Sequence, residues 1–467
     1  MEKLFKINER GSTVRTEIYA GITNFMAMAY ILMVNAGMFA ELGTVSYGAI
    51  YIATAISAVI GTLLIGLLAN LPLAQASGMG LNAYFVYTVC FGFGLSYANA
   101  LVCVLIDGIV FVLLTVTGLR MMIFRAIPER VKAGISSGIG LFIAFIGLQN
   151  VTLVVDDGAT LVNLHSFNIL SGSVTWGEIM PCIITVLTVI LIGALSYRKV
   201  RGAVLWGMLI GTAAFYLLGF VTVQGFFDTN VAPALTSDFF GAFRDFGSMS
   251  LFRVFIDGFD FSAYIAAHGT GSFVLMFVTT MLAFCMVDMF DTMGTLYGAC
   301  SAGNMLTEDG EVPNMDRAMI ADAVATCCGA VCGTSTVTTF VESASGVAEG
   351  GRTGLAAVST AALFFIAMFL SPVAQLIPTC ATSAVLIYVG VLMMGNVRNI
   401  HWDDPASAVV GFMTMALMPL TYNISYGIAF GLISYVIIKV LTGNVKDVTV
   451  GTWIVTALFT LMFFFTH

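Results

Sequence analysis

The amino-acid sequence predicts an all-α polytopic membrane protein with 14 transmembrane segments arranged as a seven-plus-seven inverted repeat. Three observations lead to this prediction. Only 9% of the 467 residues are charged and the mean hydropathy is +0.98, whereas soluble domains carry roughly a quarter of charged residues. Apolar runs of about 20 residues, long enough to cross a bilayer as helices, recur along nearly the whole chain. The third segment of each half interrupts this apolar pattern in the same way.

The apolar runs are bounded by charged residues, glycine or proline. In the first half they are 19–39, 47–69, 78–93, 97–118, 133–153, 176–196 and 203–222. In the second half they are 271–292, 317–332, 335–347, 354–371, 379–396, 405–421 and 423–441. A last run, 449–466, is either an extra span or an interfacial helix.

The distribution of charge predicts that the N-terminus lies in the cytoplasm. In this orientation every basic residue except Arg244 and Arg253 falls on the cytoplasmic side, as the positive-inside rule requires. These two residues lie in the long connection 223–270, a kind of loop that tolerates them. The first seventeen residues are polar, which argues against a cleaved signal peptide. A basic arm or soluble domain that could bind nucleic acid is not recognisable.

The cysteines and the sequence motifs do not predict a metal site, a cofactor or an enzyme. Most of the nine cysteines lie in apolar runs, where a thiol packs as a small hydrophobic group. Cys327, Cys328 and Cys332 cluster, but their spacing is not CxxC and histidine is not nearby. Neither an HExxH motif nor a GxSxG nucleophile with a suitable partner is present.

Two segments in matching positions are interrupted. They are SGMGLNAYFVYTV (77–89) and GTSTVTTFVESASG (333–346), each short, bracketed by glycine and polar. Because seven is an odd number, the two halves begin on opposite sides of the membrane, and discontinuous segments of such repeats line substrate sites near the midplane. The β-branched and aromatic stretches LNAYFV and TVTTFV favour extended backbone. We expect them to pair as short antiparallel strands that continue into half-helices; the alternative is a pair of glycine-kinked helices.

Asp288 and Asp291 are candidate proton-coupling residues. An ionisable group within a span costs at least ~2.5–3.5 kcal/mol, so each requires a reason. The two acids are three residues apart and share one helix face, with Thr292 and Thr295 on or near it. They form a proton carrier with a substrate ligand, an ion site, or a pair of charges at a helix end. Asp107 has no accompanying motif, and a structural hydrogen bond explains it equally well.

Glu342 is the strongest candidate site residue. It directly follows the extended stretch and is next to Ser343. Its carboxylate can accept hydrogen bonds from N–H groups of a solute and, once protonated, can donate one. In the matching segment of the first half, the Asn82 amide offers a donor and an acceptor together, and Tyr84 or Phe85 can supply a flat apolar wall.

Three motifs in the same order resemble a known family. GMGLNAYF (78–85), FDTMGT (290–295) and TSTVTTFVESASGVAEGGRTG (334–354) closely resemble the AzgA-like purine permeases. These form the hypoxanthine/guanine/adenine branch of the nucleobase–ascorbate transporters (NCS2). The resemblance covers nearly the whole chain. Two positions depart from it, since Ser77 stands where proline is frequent and Glu349 where a small residue is expected.

The resemblance implies a core domain (19–118 and 271–371) and a gate domain (133–222 and 379–441), with substrate bound between them. It implies proton-coupled uptake of purine nucleobases through the cell (inner) membrane, with the proton as the only coupling ion, and it is compatible with a homodimer formed through the gate domain. Alternatives are a uracil or xanthine permease and, from another class, an anion exchanger or channel of the same fold.

The resemblance also implies roles for individual residues. Asp291 takes the place of the acidic ligand in span eight, Glu342 that of the acid in span ten, and Asn82 that of the polar contact in span three. The full expected set follows: substrate-binding Asn82, Phe85, Asp291, Glu342 and Ser343; proton-coupling Asp288, Asp291 and Glu342; supporting Tyr84, Thr292, Thr295 and Thr339.

Overall fold

The computed structural model describes residues 2–118, 128–172, 174–227, 240–308 and 311–465. Arg120 and Arg125, two of the predicted cytoplasmic charges, and residue 466 of the last apolar run lie outside the described residues. Within the described part, the chain is mainly helical, and ten helices are long and apolar enough to cross a membrane. The protein is therefore a multi-pass membrane protein.

The α-helices of the first half begin and end close to the predicted apolar runs. In chain order they are α1 (Glu2–Phe5), α2 (Val14–Met28), α3 (Tyr30–Ala40), α4 (Tyr47–Leu64), α5 (Met79–Ala83), α6 (Tyr97–Val116), α7 (Glu129–Asn150), α8 (Trp176–Tyr197) and α9 (Ala203–Thr222). Two π-helical stretches, Ile65–Ala69 and Tyr84–Gly92, extend α4 and α5. A short 3-10 helix covers Ile169–Ser171.

The connection between the halves, the second half and the C-terminal segment contain the remaining helices. They are α10 (Gly241–Asp245), α11 (Arg253–Ile256), α12 (Ser262–Ala302), α13 (Met315–Cys332), α14 (Ala344–Ala348), α15 (Gly354–Ala367), α16 (Ser371–Ala374), α17 (Thr379–Met394), α18 (Pro405–Leu420), α19 (Ile424–Leu441) and α20 (Val450–Phe465). A π-helical turn covers Phe246–Ser250, and 3-10 turns cover Val341–Ser343, Met368–Leu370, Gly395–Asn399 and Val445–Asp447.

Helix α12 is longer than the predicted span 271–292. Its helical turns are interrupted at Gly269, where φ is +83°, a backbone conformation that glycine adopts at little cost. Beyond this break the helix continues to Ala302. Asp288 and Asp291 consequently lie well inside a helix rather than at its end.

Four short strands form two antiparallel pairs. Strand β1 (Gln75–Ser77) pairs with β4 (Val337–Thr339), and Ala76 lies opposite Thr338. Strands β2 (Val154–Asp157) and β3 (Leu161–Leu164) form a hairpin after α7 that the sequence analysis did not predict. The stretch TVTTFV therefore contains a strand, as an extended conformation requires.

The prediction that LNAYFV is extended is wrong, because this stretch belongs to α5 and the π-helical turns that follow it. Its strand partner is instead the three residues before Gly78, which form β1. A Cβ atom at Gly78 would lie 2.6 Å from Thr338 Cγ2, so the chain passes close to β4 there. From Met79 onward helical hydrogen bonds satisfy the backbone within the segment, which outweighs the β-propensity of its side chains.

The packing between helices forms two main groups. In one group α2 and α4 pack against α15, and α4 and α6 pack against α13. In the other, α7 packs against α17, α18 and α19, and α8 packs against α9 and α17. The β1–β4 pair lies within the first group, in contact with α4, α12 and α13.

Candidate functional site

The β1–β4 pair brings the two interrupted segments together at full burial. Every residue of both strands is buried, so their backbone groups must find partners within the protein. The Gly78 amide donates to the Thr336 carbonyl (3.0 Å) and the Phe340 amide to the Ala74 carbonyl (3.1 Å), which extends the ladder at both ends. Non-helical backbone at this depth is thereby stabilised by the protein itself.

Strand β4 is entered through a glycine that tolerates a tight approach. Gly333 ends α13 with φ of +93°, and a Cβ atom there would lie 2.8 Å from the Ser250 carbonyl oxygen. The Tyr97 hydroxyl donates to the Gly333 carbonyl at 2.5 Å. Because L-residues rarely adopt this φ and the space is filled, a side chain at this position would displace the start of the strand.

Glu342 lies in the 3-10 turn that directly follows β4. Its side chain is partly exposed, whereas Ser343 next to it is fully buried. The Tyr30 hydroxyl, at the start of α3, donates to Glu342 Oε1 at 2.6 Å. The carboxyl group is therefore held by a buried phenol, in a residue that is itself partly exposed.

Asp291 of α12 is brought next to Glu342. The residue is partly exposed, and α12 contacts the 3-10 turn that carries Glu342. Asp288, one helical turn earlier, is fully buried; the Thr326 hydroxyl donates to its Oδ2 at 3.4 Å. Asp291 and Glu342 thus form an acidic pair, whereas Asp288 lies deeper in the packed interior.

Asp322 of α13 was not among the predicted site residues, yet it organises the region behind the strands. Its Oδ1 accepts hydrogen bonds from Gln75 Nε2 (2.8 Å) and the Thr339 hydroxyl (3.3 Å). Its Oδ2 accepts from the Thr292 hydroxyl at 2.9 Å. The hydroxyls of Thr292 and Thr338 lie 2.6 Å apart. One carboxyl group therefore ties β1, β4 and α12 together.

Asn82 hydrogen-bonds to its own segment. It is fully buried; the Ser77 hydroxyl donates to its Oδ1 at 2.7 Å, and its Nδ2 contacts the Ser77 carbonyl at 3.3 Å. Ser77 also lies 2.9 Å from the Thr334 hydroxyl. Ser77 thus links Asn82 of α5 to Thr334 of the second interrupted segment.

The remaining predicted residues lie in the packed interior. Phe85 is fully buried and stacks on Phe39 at 4.8 Å between ring centroids. The Tyr84 hydroxyl lies 2.5 Å from the Ser425 hydroxyl. Ser343 accepts from the Ala74 amide at 3.0 Å, and Thr295 is almost fully buried. These contacts of Tyr84, Phe85 and Ser343 are with residues other than Asp291 and Glu342.

The carboxylates of Asp291 and Glu342 can accept hydrogen bonds from a solute. Among the described residues, the ion pairs all lie elsewhere in the protein, and none of them involves Asp291 or Glu342. The described residues also contain no group of His, Cys, Asp and Glu side chains that could hold a metal ion. A cavity of about 310 Å³ lies elsewhere, lined by residues of α8, α9 and the start of α17.

Tyr30, Gln75 and Asp322 are the interacting residues that sequence reasoning missed. Gln75 and Asp322 are 247 positions apart in the chain, and Tyr30 and Glu342 are 312 positions apart. The only sequence signal for Asp322 and Gln75 is a polar residue inside an apolar run. Tyr30 carries no such signal, because an aromatic residue is ordinary in a span.

Comparisons with known proteins agree with these observations. A family model described as a permease family (Xan_ur_permease) matches residues 15–430. The chain is 35% identical to the adenine permease AdeP of Escherichia coli strain K12, over 100% of this chain and 96% of that one. It is 38% identical to the guanine/hypoxanthine permease PbuO of Bacillus subtilis strain 168, over 95% of this chain and 96% of that one.

A solved structure shares the fold. The transmembrane domain of the cyanobacterial bicarbonate transporter BicA superposes with a TM-score of 0.61 at 16% identity, covering 88% of this chain and 96% of that one. At this identity the likeness concerns the fold alone. The family match spans nearly the whole chain, and the chain belongs to the Xan_ur_permease family of permeases, the NCS2 family.

Proposed function

We propose that this protein takes up purine nucleobases through the cell membrane by proton symport. The observation that carries the proposal is the acidic pair Asp291 and Glu342, partly exposed and presented by α12 and by the turn after β4. Purines carry N–H groups that such carboxylates can accept. The names of the adenine and guanine/hypoxanthine permeases among its relatives support the same substrate class.

The proposed mechanism uses the two acids in sequence. Two neighbouring carboxylates repel each other in a low-dielectric site, so protonation of one of them favours a compact loaded state. The N–H groups of the purine then bind to the pair, while Asn82 and Ser343 keep the two interrupted segments in place. Asp288, one helical turn before Asp291, is a further carboxyl group that can carry a proton in this mechanism. The proton is the only coupling ion in this scheme, and a cofactor is not needed.

We propose that transport occurs by alternating access, in which two domains move relative to each other. We propose 14 segments in a seven-plus-seven inverted repeat, with the core domain 19–118 and 271–371 moving against the gate domain 133–222 and 379–441. The two packing groups of helices support this division. The N-terminus would lie in the cytoplasm, the protein in the inner membrane, and a homodimer would form through the gate domain.

A competition panel tests the substrate. Uptake of radiolabelled hypoxanthine is measured at two external pH values in cells without their own purine uptake, with adenine, guanine, xanthine and uracil as competitors. We expect adenine or guanine to compete best and uptake to rise at the lower pH. Stronger competition by uracil or xanthine would support a permease for those bases, and chloride or bicarbonate flux in liposomes without purine would support an anion transporter.

Replacement of Glu342 tests the site. Glu342→Gln keeps the shape of the side chain but removes the charge, so KM for the purine should rise by about ten-fold or more, the cost of a lost charged hydrogen bond. The dependence of uptake on external pH should also weaken. The matched control is Glu9→Gln, at an exposed residue paired with Lys6 near the N-terminus, which should leave KM within about two-fold. Unchanged affinity and pH dependence in Glu342→Gln would refute the proposed mechanism.

A further inference from the structure

Tyr30 occupies a distinctive position between two helices. Helix α2 ends at Met28, and α3 begins at Tyr30, with Ala29 between them. The Tyr30 side chain is fully buried, and its hydroxyl donates a hydrogen bond to Glu342, which is 312 positions away in the sequence. A buried tyrosine requires a hydrogen-bond partner for its hydroxyl, and here that partner is the acid at the end of the second interrupted segment.

The length of this hydrogen bond fits a charged acceptor. The Tyr30 hydroxyl lies 2.6 Å from Glu342 Oε1, within the range of about 2.5–2.7 Å for hydroxyl donors to carboxylates. Such bonds are roughly twice as strong as those between neutral groups. In the described part of the chain, Tyr30 is the only side chain with a hydrogen bond to this carboxyl group.

The two side chains differ in their accessibility. Tyr30 has no exposed surface, whereas Glu342 is partly exposed. The buried phenol consequently binds Oε1, and in the described part of the chain Oε2 has no hydrogen bond from a side chain. A carboxylate held at one oxygen keeps a fixed orientation and presents the other oxygen to a solute.

We infer that Tyr30 is a positioning residue for substrate recognition, acting through Glu342. It holds the carboxylate in the orientation that accepts an N–H group of a purine. Prior orientation removes the entropic cost of ordering a flexible side chain when substrate binds. This inference rests on the proposed function, because it requires Glu342 to contact the substrate.

The first experiment is Tyr30→Phe, which removes only the hydroxyl. The KM for the purine should rise about ten-fold, with the maximal rate per transporter within about two-fold. The matched control is Tyr51→Phe. Tyr51 is also buried, and its hydroxyl donates to the Ala367 carbonyl at 2.9 Å, away from the acidic pair. Tyr51→Phe should leave KM within about two-fold, so an equal rise in both variants would overturn the inference.

The second experiment separates action through Glu342 from a general structural effect. In a Glu342→Gln background, Tyr30→Phe should raise KM by less than about two-fold, because the carboxylate it orients is already lost. If the fold-increase in KM of the double variant equals the product of the fold-increases in the two single variants, the inference is overturned. If Tyr30→Phe does not fold, Tyr30→His replaces it, since an imidazole retains a ring N–H donor. The KM of Tyr30→His should lie between those of the wild type and Glu342→Gln. An unchanged KM would count against the positioning role of Tyr30.

The outcomes distinguish the two proposals. If Glu342→Gln alone leaves transport unchanged, the proposed function of this site is wrong. If Glu342→Gln is impaired and Tyr30→Phe has the wild-type KM, the site stands and the role of Tyr30 is refuted.

Discussion

At the scale of single residues, hydroxyl groups form the hydrogen bonds that join α12, α13 and β4 around Asp322. Thr292 donates to Asp322 and lies within hydrogen-bond distance of Thr338, so one threonine joins α12 to α13 and β4. In a low-dielectric interior such a network is stabilising only while each polar member is satisfied. The sequence pattern placed Thr292 on the acidic face of α12, but its partners come from other elements.

Thr292→Val tests this network with a side chain of similar shape. Loss of the hydroxyl leaves one bond to Asp322 unmade, and the variant should lose about 1–3 kcal/mol of unfolding free energy. Unfolding in mixed detergent micelles measures the change. Thr279→Val on the same helix is the control, because in the described part of the chain the Thr279 hydroxyl donates to the Leu275 and Met276 carbonyls of its own helix. A loss in Thr279→Val as large as that in Thr292→Val would contradict the interpretation.

At the scale of elements, the ends of the helices outside the membrane are stabilised by polar side chains. Asp404 caps α18, accepting hydrogen bonds from the amides of Ala406 and Ser407. The Ser407 hydroxyl, the Arg130 guanidinium and these amides hold the pKa of Asp404 below its ordinary value. Arg130, from α7, lies 3.0 Å from Asp404 Oδ2. The cap therefore also joins two helices.

Asp404→Ala should lower the apparent Tm at pH 7 by roughly 1–3 °C. Because the folded-state pKa is lowered, the stabilisation is fully present above the unfolded pKa of about 3.9 and is lost as pH falls through the folded value. The difference between wild type and variant should accordingly shrink below about pH 4. Thermal melts in detergent from pH 3 to pH 8 measure it. Asp403→Ala, at the exposed neighbouring residue, is the control, and a difference that stays constant down to pH 3 would refute the argument.

At the scale of the whole molecule, one ion pair joins parts of the chain assigned to the two proposed domains. Arg201, between α8 and α9, contacts Glu349, between α14 and α15, through Nε–Oε1 (2.7 Å) and Nη2–Oε2 (2.6 Å). Glu349 stands where the resemblance seen in the sequence implies a small residue. The Arg201 side chain is 61% exposed, so water and salt screen the pair strongly.

A charge-reversal cycle tests this pair. Arg201→Glu and Glu349→Arg should each reduce stability slightly, and the double variant should recover it, with a coupling energy below about 1 kcal/mol. Added salt should weaken the coupling, because the pair is exposed. Unfolding of the four proteins at low and high salt gives the coupling energy. A value above about 2 kcal/mol that persists in high salt would show that the pair is effectively buried.

The positions of many membrane-spanning helices can be predicted from the sequence, because a bilayer constrains the composition of each span separately. A helix that crosses lipid must satisfy its backbone internally and present apolar side chains, so its composition alone marks its position. The predicted run 203–222 and helix α9 coincide. Glu342 and Asp291 were recognisable for the same reason, since a carboxyl group inside a span is costly and conspicuous.

The sequence by itself therefore determined the membrane class, the approximate positions of most long helices, the two interrupted segments, and Asp291 and Glu342 as candidate site residues. Only the tertiary structure decided that β1 begins before Gly78 and that LNAYFV is helical, because short-range β-propensity yields to backbone satisfaction at depth. It also decided the partners of the acids. Tyr30 and Glu342 are 312 positions apart, and such contacts depend on how helices pack, which local composition does not encode.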